Sequence, residues 1–174
     1  MIYLDNAATT PVPAAVADAM YDVLTRHFGN PSSQYPIGQE MKRAVEDWRA
    51  VIAAALGCPP ERLYFTSCGT ESDNWAIQSA VWQGRHTGRH IITTAVEHHA
   101  VLHPMQRLEA RGFEVTYLQP DETGYVSAEA LTQALRPDTI LVSVMMVNNE
   151  TGAVMPIREM IRATRRLSPL ALFH

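Results

Sequence analysis

Lysine is almost missing from this chain: Lys42 stands alone against thirteen arginines in 174 residues. Chemistry that needs a lysine amine, such as the covalent holding of an aldehyde cofactor, has one candidate here. Lys42 lies in a stretch patterned as an ordinary helix. Cysteine is scarce as well. Cys58 and Cys68 cannot build a disulfide framework, and neither belongs to a Cys-x-x-Cys pair or a zinc-finger spacing, which fits a reducing compartment. No apolar run approaches a bilayer span. Even the longer ones, such as Ile140 to Val147 with its interrupting Ser143, are far too short, and no basic stretch followed by an apolar one opens the chain, so a cytoplasmic location is expected. The formal net charge is -4 and there is no basic run, a balance that suits neither nucleic acid nor an anionic membrane as the main partner. Arg162, Arg165 and Arg166 read as the exposed face and dipole-complementing end of a helix.

What is present is the composition of a folded domain, 47% hydrophobic and 18% charged, without repeats, low-complexity tracts or linker-like segments. A strand-like Ile2-Tyr3-Leu4 precedes a helix from Ala14 to His27 that Gly29 should close, and Asn30-Pro31-Ser32-Ser33 is a loop. Met41, Val45, Trp48, Ile52 and Leu56 then recur at helical spacing from Gln39 to Leu56, with Lys42 on the polar side. Beyond Pro59-Pro60 the pattern alternates. Strands are expected at Leu63 to Ser67, His90 to Val96, Val115 to Leu118, Ile140 to Val147 and from Leu170. Helices are expected at Glu71 to Gln83, Pro104 to Arg111, Ala128 to Leu135 with Ser127 as cap, and Pro156 to Leu167. Alternation of this kind implies right-handed crossovers and an α/β fold, a mostly parallel sheet with helices on both faces. The chain reaches His174 inside the last of these strands.

Three segments fall just after strands, where open parallel sheets bind ligands. In Thr66-Ser67-Cys68-Gly69-Thr70-Glu71-Ser72 the backbone N–H groups of Gly69 and Thr70 would sit at a helix N-terminus and suit a phosphate. Equally, Thr70 and Asp73 have the spacing of a capping box that needs no ligand. Neither Gly-Lys-Thr/Ser nor Gly-x-Gly-x-x-Gly occurs. In Glu97-His98-His99-Ala100-Val101 an imidazole could lie against an aromatic ring or move protons, or His98, His99 and His103 could hold a metal with Glu97 as a fourth ligand. In Asn148-Asn149-Glu150-Thr151-Gly152 the Asn149 amide could donate to a phenolic oxygen, although the run is equally good turn chemistry. Cys68 reads as a small buried side chain at a strand end.

With Tyr3-Leu4-Asp5-Asn6-Ala7-Ala8-Thr9-Thr10-Pro11 and Gly29-Asn30-Pro31-Ser32-Ser33, these segments make five motifs in one order. In them the chain resembles the N-terminal part of the cysteine desulfurases, class V of the pyridoxal phosphate-dependent aminotransferase superfamily. The resemblance implies a partial large domain of the fold type I pyridoxal phosphate-dependent transferases, spanning residues 15–174, with residues 1–14 joining a small domain. It implies pyridoxal 5'-phosphate held by Gly69, Thr70 and the Thr70 hydroxyl, His98 stacked on the pyridine ring as the catalytic residue, Asn149 on the phenolic oxygen, and no metal. Gly69 stands where the family often has alanine, and His99 where it varies. The implied reaction takes sulfur from L-cysteine, leaving L-alanine and an enzyme persulfide, in a homodimer that serves a sulfur-accepting scaffold protein of iron-sulfur cluster assembly. The family's pyridine-pairing aspartate, Schiff base lysine, carboxylate-binding arginine and persulfide cysteine all come after the strand at Phe173-His174. The chain alone is therefore expected to be an inactive fragment. A selenocysteine lyase or another class V aminotransferase-like enzyme on the same scaffold is the near alternative, and a non-catalytic metal-binding protein using His98, His99 and His103 the distant one.

Overall fold

The computed structural model describes residues 2–174, which form two compact units divided between Phe65 and Thr66. The first unit carries α1 (Ala14–Arg26), α2 (Pro36–Leu56) and a single 3-10 turn, Pro60–Arg62. Pro36 opens α2, where a missing N–H costs nothing, and Gly57 closes it at φ 69, donating back to the Ala53 and Ala54 carbonyls. α1 ends earlier than Gly29, at His27, whose N–H reaches the Val23 carbonyl. Only Gly38, Met41 and Ala53 are buried among the described residues of this unit, while Trp48 and Leu56 remain largely exposed and Lys42 is exposed on α2.

Two expected strands are not formed. Neither Ile2-Tyr3-Leu4 nor Leu63 to Ser67 is a strand of the sheet that the described residues form. Leu63 has extended backbone, φ -98 and ψ 125, but its carbonyl accepts from Arg49 Nη1 at 2.5 Å, and the Arg49 guanidinium sits 4.8 Å from the Phe65 ring centroid. An extended segment becomes a strand only when a neighbour takes its N–H and C=O groups.

The second unit contains α3 (Gly69–Gly84), β1 (His90–Thr94), α4 (His99–Glu109), β2 (Glu114–Leu118), α5 (Ala128–Ala134), β3 (Thr139–Ser143), α6 (Ile157–Leu167) and β4 (Leu172–Phe173). The sheet is parallel throughout, in the order β2-β1-β3-β4. Successive residues of the central strands point to opposite faces, so each face has its own core. Ile91 and Leu141 pack with Ile77 of α3 and Val101, Met105 and Leu108 of α4. Ile92 and Val142 pack with Leu131 of α5 and Met160 of α6. The α/β architecture with helices on both faces follows directly from that double burial. Buried His90 bridges the strands, its ring nitrogens 2.8 Å from Thr139 Oγ1 and 2.9 Å from Thr116 Oγ1.

β1 and β3 are shorter than the apolar runs suggest. Val147 leaves the sheet direction to bridge Val154 in antiparallel fashion. α4 begins at His99 and carries Pro104 in its interior, where a helix start was expected. His98 supplies the missing start signal, its Nδ1 accepting from the Ala100 N–H at 3.1 Å.

Close packing fixes the end of α3. A Cβ at Gly84 would lie 2.7 Å from Ile140 Cβ, whereas one at Gly69 would meet nothing within 4 Å. Gly84→Ala is expected to cost about 1–3 kcal/mol by overpacking. Gly69→Ala should be neutral or stabilise by up to about 1 kcal/mol through helix propensity. Urea midpoints of the two variants check this, and an equal effect at both glycines would contradict it.

Candidate functional site

β1 connects to β2 on one side and β3 to β4 on the other, so the carboxyl ends of the adjacent strands β1 and β3 open on a topological switch point. A cleft of about 270 Å³ lies there, lined by Asp73, Glu97, His98, Ser143, Met145 and His174 among others. A second cleft of about 490 Å³ includes Cys68, Thr70, Asn74, His98, His103 and Arg107 in its lining. His98 lines both.

At the N-terminus of α3 the first helical hydrogen bond runs from the Ser72 N–H to the Cys68 carbonyl, at 3.1 Å. The N–H groups of Gly69, Thr70 and Glu71 therefore have no helical acceptor. The capping box expected from Thr70 and Asp73 is not made. Instead Glu71 turns back, its Oε2 accepting from the Ser67 N–H at 2.6 Å and the Ser67 hydroxyl at 2.7 Å, which holds its carboxyl below the usual range. Thr66 Oγ1 and Ser72 Oγ, 2.6 Å apart, close the loop from the other side. The Thr70 hydroxyl makes no hydrogen bond among the described residues, and Gly69 leaves open space at its Cβ position. Cys68 is exposed, contrary to its reading as a buried strand-end residue, because it caps α3 and does not end a strand. The Glu71 amide, the Ser67 hydroxyl and the Thr70 amide lower its thiol pKa, in that order of weight, with partial desolvation opposing them. Amides without a helical acceptor, a hydroxyl that makes no hydrogen bond and a field that favours anions fit a phosphate group.

The other two segments are placed by buried neighbours that sequence reasoning gave no structural role. Glu97 precedes His98 and is buried; its Oε1 accepts from Thr94 Oγ1 at 2.9 Å and from the Met145 N–H at 2.8 Å. Asn148 precedes Asn149 and is buried too. Its Nδ2 donates to the Val96 carbonyl at 2.9 Å, while its Oδ1 accepts from the Glu150 and Thr151 N–H groups at 2.9 and 2.8 Å. Turn chemistry thus falls to Asn148, with Gly152 at φ 74 completing the loop. Asn149 is exposed and lines neither cleft, so Thr70 and His98 are brought together and Asn149 is not joined to them by any contact.

The histidine cluster does not converge. His99 and His103 stack face to face with centroids 5.1 Å apart, His98 and His99 are 6.2 Å apart and tilted, and Glu97 is committed to Thr94 and Met145. Among the described residues no group of three or more His, Cys, Asp or Glu side chains could hold a metal ion. The reading of His98, His99, His103 and Glu97 as a ligand set fails on this geometry. No helix of the described residues is long and apolar enough to cross a membrane.

Burial pushes the Glu97 carboxyl up, against the two hydrogen bonds it accepts, and nearby Asp73 adds to the rise. A raised folded-state pKa means stability that is present below the unfolded value and lost as pH rises through the folded one. Wild type is expected to lose stability relative to Glu97→Gln as pH climbs above about 4.3. Denaturation of both proteins across pH 4 to 8 measures the difference; a constant offset between the two curves would show that Glu97 does not titrate in this way.

The sequence pattern of the class-V aminotransferases matches residues 2–173. The cysteine desulfurase IscS of Methanosarcina thermophila is 52% identical over 158 residues, covering 91% of this chain and 39% of that protein. Among solved structures, a NifS-like protein superposes with a TM-score of 0.95 at 38% identity, over 99% of this chain and 48% of the other. SspA in complex with cysteine superposes with a TM-score of 0.91 at 35% identity, over 99% and 49%. The chain thus spans 39% of the curated relative's length and about half of the solved ones. A match that runs from residue 2 to residue 173 and includes all three candidate segments places this chain in the class-V aminotransferase family.

Proposed function

We propose that this chain forms the phosphate- and ring-holding part of a pyridoxal phosphate-dependent cysteine desulfurase. The observation that carries the reading is one cleft between the starts of α3 and α4, sharing His98 with the cleft at the switch point, where the open N-terminus of α3, with its free Thr70 hydroxyl, faces His98. On this reading the Gly69 and Thr70 amides and the Thr70 hydroxyl take the phosphate. His98 lies against the pyridine ring. The Ala100 N–H donates to His98 Nδ1, which leaves Nε2 as the proton-bearing nitrogen of the neutral imidazole and fixes the ring's rotation. Asn149 donates to the phenolic oxygen, carried there by the loop that Asn148 anchors. Bound pyridoxal phosphate supplies an electron sink for removing sulfur from L-cysteine, to leave L-alanine and persulfide sulfur. Cysteine as substrate is in keeping with the neighbour solved in complex with cysteine.

Residues 15–174 belong, in this proposal, to the large cofactor-binding domain and residues 1–14 to a small domain of a cytoplasmic homodimer that passes sulfur to a scaffold protein. Lys42 is exposed on the polar face of α2, and neither Cys58 nor Cys68 matches the family's persulfide position. The covalent lysine and persulfide cysteine are assigned to sequence outside this chain.

Titration with pyridoxal phosphate, followed by absorbance, tests the proposal. Thr70→Val and His98→Ala are each expected to weaken binding about tenfold, as loss of a hydrogen bond or ring contact does. Lys42→Ala should change nothing. The chain alone should release no sulfide from L-cysteine beyond what free pyridoxal phosphate releases. Saturable binding indifferent to Thr70 and His98, or sulfide release above that control, would overturn the assignment.

A further inference from the structure

Pro104 sits inside α4 and has no N–H to give the Ala100 carbonyl one turn earlier. Such a carbonyl is costly to leave unpaired where it is partly buried. It is not unpaired: Asn74 Nδ2, from α3, donates to it at 3.2 Å. The same Nδ2 donates to the Thr70 carbonyl at 2.8 Å. Arg107 Nη2 donates to Asn74 Oδ1 at 3.0 Å and so fixes which way round the amide stands. One carboxamide therefore ties the turn that carries Thr70 to the turn that begins at His98. The proline favours this link, because an ordinary residue at position 104 would supply a competing N–H to the Ala100 carbonyl from within α4.

We infer that Asn74 is a positioning residue that sets the spacing between the phosphate-holding end of α3 and the ring of His98, and that Pro104 reserves the Ala100 carbonyl for it. The inference rests on the proposed function, since it concerns a ligand carrying both a phosphate and a pyridine ring. A residue acting this way should matter little to phosphate alone, which needs only the α3 end. It should matter to a molecule that must reach both anchors at once.

The test uses the full chain and two probes: inorganic phosphate, and pyridoxine 5'-phosphate, which has no aldehyde and cannot bond covalently to an amine. Asn74→Ala is expected to weaken pyridoxine 5'-phosphate about tenfold while phosphate stays within about twofold. The double variant Asn74→Ala with Pro104→Ala separates positioning from folding, because the second substitution restores a backbone N–H for the Ala100 carbonyl. It should recover stability in urea and keep the tenfold loss. Should Asn74→Ala alone not fold, the double variant carries the measurement, referred to wild type. Equal losses for the two probes, or affinity that returns together with stability, would show a merely structural role and overturn the inference alone. A wild-type chain that binds pyridoxine 5'-phosphate no better than phosphate would overturn the proposed function, and this inference with it.

Discussion

Two loops leave the carboxyl ends of neighbouring parallel strands, and what holds them together is a pair of buried side chains. Glu97, after β1, takes the Met145 N–H after β3, and Asn148, after β3, gives its amide to the Val96 carbonyl after β1. Beyond the last ladder bond these backbone groups have no strand partner, yet they are too enclosed to be left to water. Reciprocal side-chain bonds solve that problem and fix the width of the switch-point cleft at the same time. Each anchor is followed at once by an exposed residue, His98 after Glu97 and Asn149 after Asn148. Rigid placement of an exposed group beside a buried, fully bonded one is how a site on loops acquires the precision of a site on strands.

α3 and α4 meet the same requirement from the other direction. Their shared core, Ile77 with Val101, Met105 and Leu108, presses the two helices together along the sheet. Packing alone fixes a distance between helix axes and leaves sliding along them softer. The Asn74 amide, with fixed donors and a fixed acceptor, supplies the missing constraint. The residues before Thr66 are different in kind. α1 buries none of its residues, and α2 buries only Gly38, Met41 and Ala53, so large apolar side chains such as Leu24 and Val51 remain mostly in water. With so little of them buried, these helices draw little stability from packing.

The sheet was legible because β-branched runs such as Ile140 to Val144 must be covered on both sides, and alternation with helices permits few topologies. Helix ends were legible where chemistry is local, as at Gly57 and at Ser127, whose hydroxyl accepts from the Ala130 N–H at 3.1 Å. Leu63 to Ser67 was misread because its composition reports extended backbone and says nothing about a neighbour. α4 was misread because proline usually starts a helix, and the donor that lets Pro104 sit inside one comes from Asn74, distant in sequence. The same holds for Glu97 and Asn148. Their partners, Met145 and Val96, are set by the parallel pairing of β1 and β3, which no local pattern encodes. Cys68 escaped for a different reason. Its surroundings were judged as a strand end, when the helix starts at the very next residue.

The scarcity of lysine takes on a different meaning beside the end of α3. A Walker-type loop sets a lysine ammonium against its phosphate. Here the Cys68 thiol and the Glu71 carboxyl are both shifted toward their anionic forms, and in each case the main causes are hydrogen bonds from within the same loop. Glu71 spends its charge on Ser67, which keeps it folded back on the loop. Cys68 does the opposite, since its sulfur draws on the Glu71 and Thr70 amides. A neutral thiol competes weakly for those donors, and a thiolate would compete strongly. The anion preference of this loop thus comes from backbone amides at the end of α3 and needs no lysine, and the proposed phosphate site draws on that feature.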